Sequence, residues 1–378
     1  MTRIIAILLL CFLLYSECKK KQRSRFVTQH SADIVKEVEK LTKNLTNAGN
    51  IAIEHLTRQD DSDSTEYKHP LLCAALISTA DSTIHRVLRN VEAVGDGCHW
   101  AFIVYAGEHE KLTKLEGNVT LLGGKIARTV MFDGIKPSHC NFVAKVRLYP
   151  YLLDELKFYK RVWVLDDDID ISGVNVKCLS KLLDQGILPH RPLLIAQTTL
   201  VPWTQATPFF HMKFWRKEEI RSKHPAGIVG IHWYIEQQMP IFESGFFEWF
   251  ITYVIIPSNT LSVALCNNWG AEHIWCMAAL DYAVRRLGYD EDSYFPCGIV
   301  IHDKLVANHT NSRSIRKTPL FEKLGLESIR IMYDVFPMWH RKHLEYMKRW
   351  KSRAEGPNYG SFKLYKVLSN SSFSCSTN

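Results

Sequence analysis

The sequence predicts an α/β domain built on a mainly parallel sheet with helices on both faces. Two observations predict it. Short, wholly apolar runs alternate with stretches whose apolar residues fall at helical spacing. One of those runs, residues 162–165, leads straight into Asp166-Asp167-Asp168-Ile169-Asp170. Parallel strands are covered on both faces and so read as unbroken apolar runs. Ligands of such sheets bind beyond the carboxyl ends of the strands. Residues immediately after each run therefore carry the functional interest.

The elements follow in order. Residues 71–77 read as a first strand, and Ala80-Asp81-Ser82 then opens a helix through Val91. Residues 100–105 form a second strand and 119–122 a third. Residues 141–158 read as helical, with Pro150 kinking or dividing the stretch. Residues 162–165 and 193–196 are the fourth and fifth strands. A further helix is expected over residues 271–287.

The flanks divide the chain. Residues 4–15 are an unbroken apolar run of 12. A bilayer-spanning helix needs about 20 such residues and a signal-peptide core about 7–15. Residues 1–18 therefore read as a signal peptide cut after Cys18, and the alternative is a short uncleaved signal anchor. Lysines 19–21 would lie lumenal to an anchor, against the positive-inside preference. With cleavage, no stable membrane span is expected. Residues 19–66 read as a helical stem ending in a polar cluster at 60–64, residues 67–345 as the main domain, and 346–378 as a basic, then serine-rich tail.

Four glycosylation sequons begin at Asn44, Asn118, Asn308 and Asn370. Eight cysteines would remain after cleavage, an even number compatible with disulfides whose pairing the sequence leaves open. No two are spaced as in a structural zinc site. The expected location is the secretory-pathway lumen or the exterior. The net charge of +8 favours acidic ligands by long-range attraction. No nucleic-acid-binding motif is present, and nucleic acid is not an expected partner.

Four carboxylates in five residues repel one another, and at a strand end they call for a cation. Hard oxygen ligands suit Mn2+ or Mg2+. A hydrophobic strand ending in Asp-x-Asp resembles the metal motif of GT-A-fold glycosyltransferases. The wider order is Trp163-Val164-Leu165-Asp166-Asp167-Asp168-Ile169, an aromatic segment at Phe242, Glu243, Phe246 and Phe247, then Trp269-Gly270-Ala271-Glu272, then an apolar strand ending at His302. That order is similar to an uncharacterised eukaryotic family labelled in plants lysine-ketoglutarate-reductase trans-splicing related. The likeness covers residues 68–310. Glu272 stands where that family shows aspartate. No GxGxxG follows a strand, so a dinucleotide-binding reductase is not expected.

The resemblance implies a nucleotide-diphospho-sugar-transferase-like (GT-A) fold and a nucleotide-sugar donor with an acceptor that is a glycan, protein or lipid. It implies Asp168 as a direct metal ligand, Asp166 on the metal or the ribose, Asp167 beside the bound nucleotide, and His302 as a further metal ligand. Glu272 is the candidate catalytic base, since an inverting transfer needs a carboxylate to take the acceptor's proton. Glu243 and Asp281 are weaker candidates. Twelve aromatic residues lie between 203 and 250, where an acceptor sugar could stack. Two other readings compete. One is a catalytically silent GT-A-like glycan-binding protein or chaperone. The other is a metal-dependent phosphatase, which would place its acidic motif on the first strand and not late in the domain.

Overall fold

The computed structural model describes residues 48–57, 67–132, 145–185, 193–201, 228–231, 235–258, 270–302, 304–310, 319–353 and 363–365. The expected signal peptide, most of the expected stem, the tail after residue 365, and the sequons at Asn44 and Asn370 lie outside them.

The first part is a run of parallel β/α units. Strand β1 (His69–Ser78) leads to α2 (Asp81–Val94), β2 (His99–Ala106), α3 (His109–Leu121) and β3 (Lys125–Met131). An earlier helix, α1 (Ala48–Thr57), packs on the core through Ala52 and Leu56. A 3-10 stretch, Lys145–Leu152, runs into the short α4 (Leu153–Leu156) and then β4 (Tyr159–Asp166). Pro150 sits inside that 3-10 stretch. The sequence expectation of a strand over 119–122 is corrected here. Those residues close α3, and β3 begins after Gly123, whose φ of 79° reverses the chain. Val119 and Leu115 bury one helical face, a spacing that a short window cannot distinguish from a strand.

The second part is mixed. It comprises β5 (Ile169–Asp170), α5 (Val176–Gln185), β6 (Ile195–Val201), β7 (Ile228–Ile231), β8 (Ile241–Glu243), α6 (Ser244–Phe250), α7 (Ala271–Leu287), β9 (Cys297–Ile301), β10 (Val306–His309), α8 (Pro319–Val335), α9 (Pro337–Arg353) and β11 (Lys363–Tyr365). A π-helical stretch, Ile251–Ile255, follows α6.

The sheet order is β11-β7-β9-β6-β8-β4-β1-β2-β3, with β10 beside β6 and β5. The half from β4 to β3 is wholly parallel. Strand β8 runs antiparallel between β4 and β6. Strands β5, β7 and β11 also pair antiparallel. No helix among the described residues is long and apolar enough to cross a membrane.

Alternation along the central strands makes two cores. Leu72, Ala74 and Leu76 of β1 and Val162 and Val164 of β4 face one core, with α1, α6, α7, α8 and α9. Leu71, Cys73, Ala75 and Ile77, with Trp163 and Leu165, face the other, with α2, α3 and α5. Burial on both sides explains the unbroken apolar runs. Disulfides join Cys73 to Cys98 and Cys276 to Cys297, across Cα separations of 6.0 and 5.9 Å, and Cys178 is disulfide-bonded as well.

Two of the weaker candidate acids have architectural partners. Glu243 caps α6 by accepting from the Phe246 N–H at 2.7 Å, and it accepts from the Tyr67 hydroxyl at 3.2 Å. Asp281, 1% exposed, accepts from Trp339 Nε1 at 2.7 Å and Lys342 Nζ at 2.6 Å, which ties α9 to α7. Removing one partner of a buried pair leaves the other unmatched. Asp281→Ala is expected to destabilise the fold by about 3 kcal/mol. Urea unfolding measures this, and a loss under about 1 kcal/mol contradicts the assignment.

Candidate functional site

The acidic cluster sits at the carboxyl edge of the parallel half. Register places Asp166 opposite Leu76, so the ends of β1 and β4 lie side by side. Helix α2 holds the acidic loop from one face. Its Arg86 guanidinium donates to the Asp167 carbonyl. Asn90 donates to the Ile169 carbonyl at 3.0 Å and accepts from the Ile171 N–H at 2.9 Å. Arg89 pairs with the Asp170 carboxylate at 2.8 Å. Residues at i, i+3 and i+4 share a helical face, so one face of α2 supplies all three clamps.

The three consecutive aspartates point to three different neighbours. Asp166 Oδ1 lies 2.7 Å from the Lys145 ammonium. Asp167 accepts from the Tyr105 hydroxyl at 2.6 Å, with Ser78 and Thr83 each at 3.5 Å. That places its carboxylate against the ends of β1 and β2. Asp168 Oδ2 lies 3.0 Å from His309 Nε2. The backbone N–H and the hydroxyl of Thr310 both donate to the Asp168 carbonyl, at 2.9 and 2.8 Å.

Strand pairing brings His309 there. It is set opposite Ile169 in the antiparallel β5–β10 pair. His302 directly follows β9, where its buried ring accepts from the Lys304 N–H at 3.0 Å. The histidine on Asp168 is thus the one in the Asn308-His309-Thr310 tripeptide, which by sequence reads only as a sequon.

Glu272 lies in the first turn of α7 and is 4% exposed. Its Oε2 accepts from the Gly270 N–H at 2.9 Å and from the Gln237 side-chain amide. Gly270 has a φ of 112°, and a Cβ there would come within 3.0 Å of the Ile329 Cα. Glycine in the Trp-Gly-x-acidic motif is therefore required by both backbone conformation and the approach of α8.

The segment 236–240 joins the two acidic groups. Lys145 donates to the Gln237 carbonyl. The Asp166 N–H donates to the Gln238 carbonyl at 3.0 Å, and the Val164 N–H to the Pro240 carbonyl at 2.9 Å. The Gln238 amide lies 3.4 Å from His309 Nε2, and the Glu236 N–H donates to Gln197 Oε1 at 2.9 Å. Glu236, Gln237, Gln238, Lys145 and Tyr105 carry no motif, and His309 falls only within a sequon. Tyr105 alone had a signal, as the last residue of an apolar strand run.

Burial sets the charge states. It pushes Asp166 up to about 6, against the opposing pull of Lys145 and with help from Asp168 and Asp167. It pushes Glu272 up to about 7, opposed by hydrogen bonds from its own N–H and that of Gly270, and reinforced by Glu236. Glu236 is also pushed up to about 7 by burial, with His309 and Lys145 opposing. Burial alone would lower His309, but the Asp168 carboxylate, with Asp166 and Glu236 behind it, holds it above its ordinary value.

The donor types at Asp166 and Asp168, carboxylate oxygens with one imidazole beside them, fit a hard divalent cation. Among the described residues no three histidine, cysteine or acidic side chains already converge as a ligand set. Asp166 and Asp168 instead hold ion pairs that an arriving cation would exchange. The aromatic residues are divided. Trp203, Trp215 and Trp233 lie outside the described residues. Trp249 is buried against Tyr282 and Trp339, with ring centroids at 5.7 and 6.1 Å, and so belongs to the core.

No protein-family model matches the chain, and no curated protein does. Solved structures that it resembles include glucosyl-3-phosphoglycerate synthase from Mycobacterium tuberculosis in complex with Mn2+, UDP and glucosyl-3-phosphoglycerate. The identity is 12%, over 75% of this chain and 84% of that one, with a TM-score of 0.36. A mannosyltransferase from Pyrobaculum calidifontis in complex with GDP-Man and Mn2+ is another, with 11% identity over 85% and 88% of the two chains and a TM-score of 0.33. At TM-scores of 0.36 and 0.33 these likenesses carry no argument about the site, which rests on its own geometry.

Proposed function

We propose that the chain is a metal-dependent glycosyltransferase that transfers a sugar from a nucleoside-diphosphate donor to an acceptor hydroxyl. One observation carries the reading. The Asp166–Asp168 cluster at a parallel strand end is laced through Gln237 and Gln238 to a buried glutamate, Glu272, on a separate helix. That arrangement supplies a seat for a diphosphate-bound cation and a carboxylate able to take a proton.

Asp166 and Asp168, with His309 beside them, would hold Mn2+ or Mg2+. A cation there would neutralise the departing diphosphate as a Lewis acid. Asp167, tied to Tyr105 at the ends of β1 and β2, faces the side where the nucleoside would lie. Glu272 accepts the acceptor's proton as the acceptor oxygen bonds to the anomeric carbon and the bond from that carbon to the diphosphate oxygen breaks. Its elevated pKa suits a base working near neutrality. The disulfides support an oxidising compartment, and we place the activity in the secretory-pathway lumen or outside the cell.

The test is thermal. The melting temperature of the secreted protein is measured with UDP, GDP and their sugar conjugates, with and without Mn2+. A ligand that binds the native state alone must raise it. A Mn2+-dependent rise with one nucleotide is expected. A folded sample that shifts with none of them overturns the donor site and favours a silent glycan-binding domain.

A further inference from the structure

The geometry points to Lys145 as a resident counter-ion that makes cation binding at Asp166 depend on an incoming diphosphate. This rests on the transferase reading of the same site.

Lys145 opens the 3-10 stretch whose Val146, Leu148, Tyr149 and Leu152 are buried in the core. Its main chain is therefore anchored beside the site. Its side chain is 11% exposed, and its ammonium meets Asp166 Oδ1 at 2.7 Å and the Gln237 carbonyl. Glu236 also lies within electrostatic range of the same ammonium.

A bare divalent cation approaching Asp166 meets this positive charge at close quarters. Displacing the ammonium would leave a poorly hydrated charge without its carboxylate, which is costly. A nucleoside diphosphate changes the exchange. Its phosphate oxygens accept from an ammonium, and lysine is a strong point-charge partner for phosphate. Asp166 then passes to the cation while Lys145 passes to the diphosphate, and each charge keeps a partner. Cation and diphosphate thereby bind with positive coupling, and by linkage each tightens the other by the same factor. The site takes a metal–diphosphate pair and discriminates against free metal.

Mn2+ titrations followed by the electron paramagnetic resonance signal of the free ion test this. The secreted protein is titrated alone, with UDP or GDP, and with inorganic pyrophosphate, each corrected for Mn2+ held by the additive in solution. The unsubstituted protein is expected to bind Mn2+ about tenfold or more tighter with a diphosphate present. Lys145→Met and Lys145→Gln are expected to bind bare Mn2+ about tenfold tighter than the unsubstituted protein, with the diphosphate enhancement correspondingly smaller. Mn2+ binding without diphosphate coupling overturns the Lys145 inference alone. So does a folded variant that binds bare Mn2+ no tighter. If neither variant folds, equal Mn2+ affinity of the unsubstituted protein with and without diphosphate still overturns the inference. Absence of Mn2+ and diphosphate binding from every folded protein overturns the transferase reading itself.

Discussion

Asp168→Asn is expected to abolish the Mn2+-dependent rise in melting temperature and to lower transfer on the order of 10³-fold. The asparagine is isosteric and leaves the carbonyl contacts of Thr310 in place, so the loop geometry survives. What disappears is one carboxylate charge at the cation seat and the ion-pair partner of His309. The amide also releases His309 from the charge that raises it. The imidazole resonance should then titrate at lower pH, because burial, which lowers it, is opposed only by the more distant Asp166 and Glu236. An Asp168→Asn protein that keeps the Mn2+-dependent shift rules this aspartate out as a metal ligand.

Glu272→Gln is the second large effect, and two readouts should move in opposite directions. Loss of the proton acceptor is expected to lower kcat by about 10²–10⁴-fold. Stability should change the other way, in a defined pH window. Folded Glu272 titrates near 7 against 4.5 for an ordinary glutamate. Between those values the folded state binds more protons than the unfolded state, so stability falls as pH rises from about 4.5 to about 7. Glutamine removes that dependence. The variant should melt higher than the unsubstituted protein at pH 8 and lose its advantage at pH 5. The unsubstituted enzyme should gain activity as pH rises through about 7, as the base ionises. A variant with unchanged kcat at pH 8 would remove Glu272 from the chemistry.

Much of the first half of the fold is legible in the chain. Residues 71–77, 100–105 and 162–165 are apolar throughout because both sheet faces are covered, and β1, β2 and β4 contain them. The helix expected over 271–287 is α7, Ala271–Leu287, bounded by glycines with positive φ at each end. The strand expected at 119–122 failed because four residues cannot separate a helical from an extended period. Strands β8 and β10 are three and four residues long, too short for any period to register.

The sequence by itself determined the acidic cluster, its place after a buried strand, and the glycine and glutamate at the start of α7. Each depends on residues adjacent in the chain, where apolar runs, charge repulsion and backbone conformation act locally. Only the tertiary structure decided that Asp168 meets His309, since their partnership spans 141 residues and exists only through the β5–β10 register. It alone set Lys145 on Asp166 and Gln237 on Glu272, because β8 lies between β4 and β6 and so lays residues 236–240 along the strand end. Local sequence encodes which groups repel or favour a turn. The partners that offset their burial arrive from distant segments, and only the closed sheet brings them within reach.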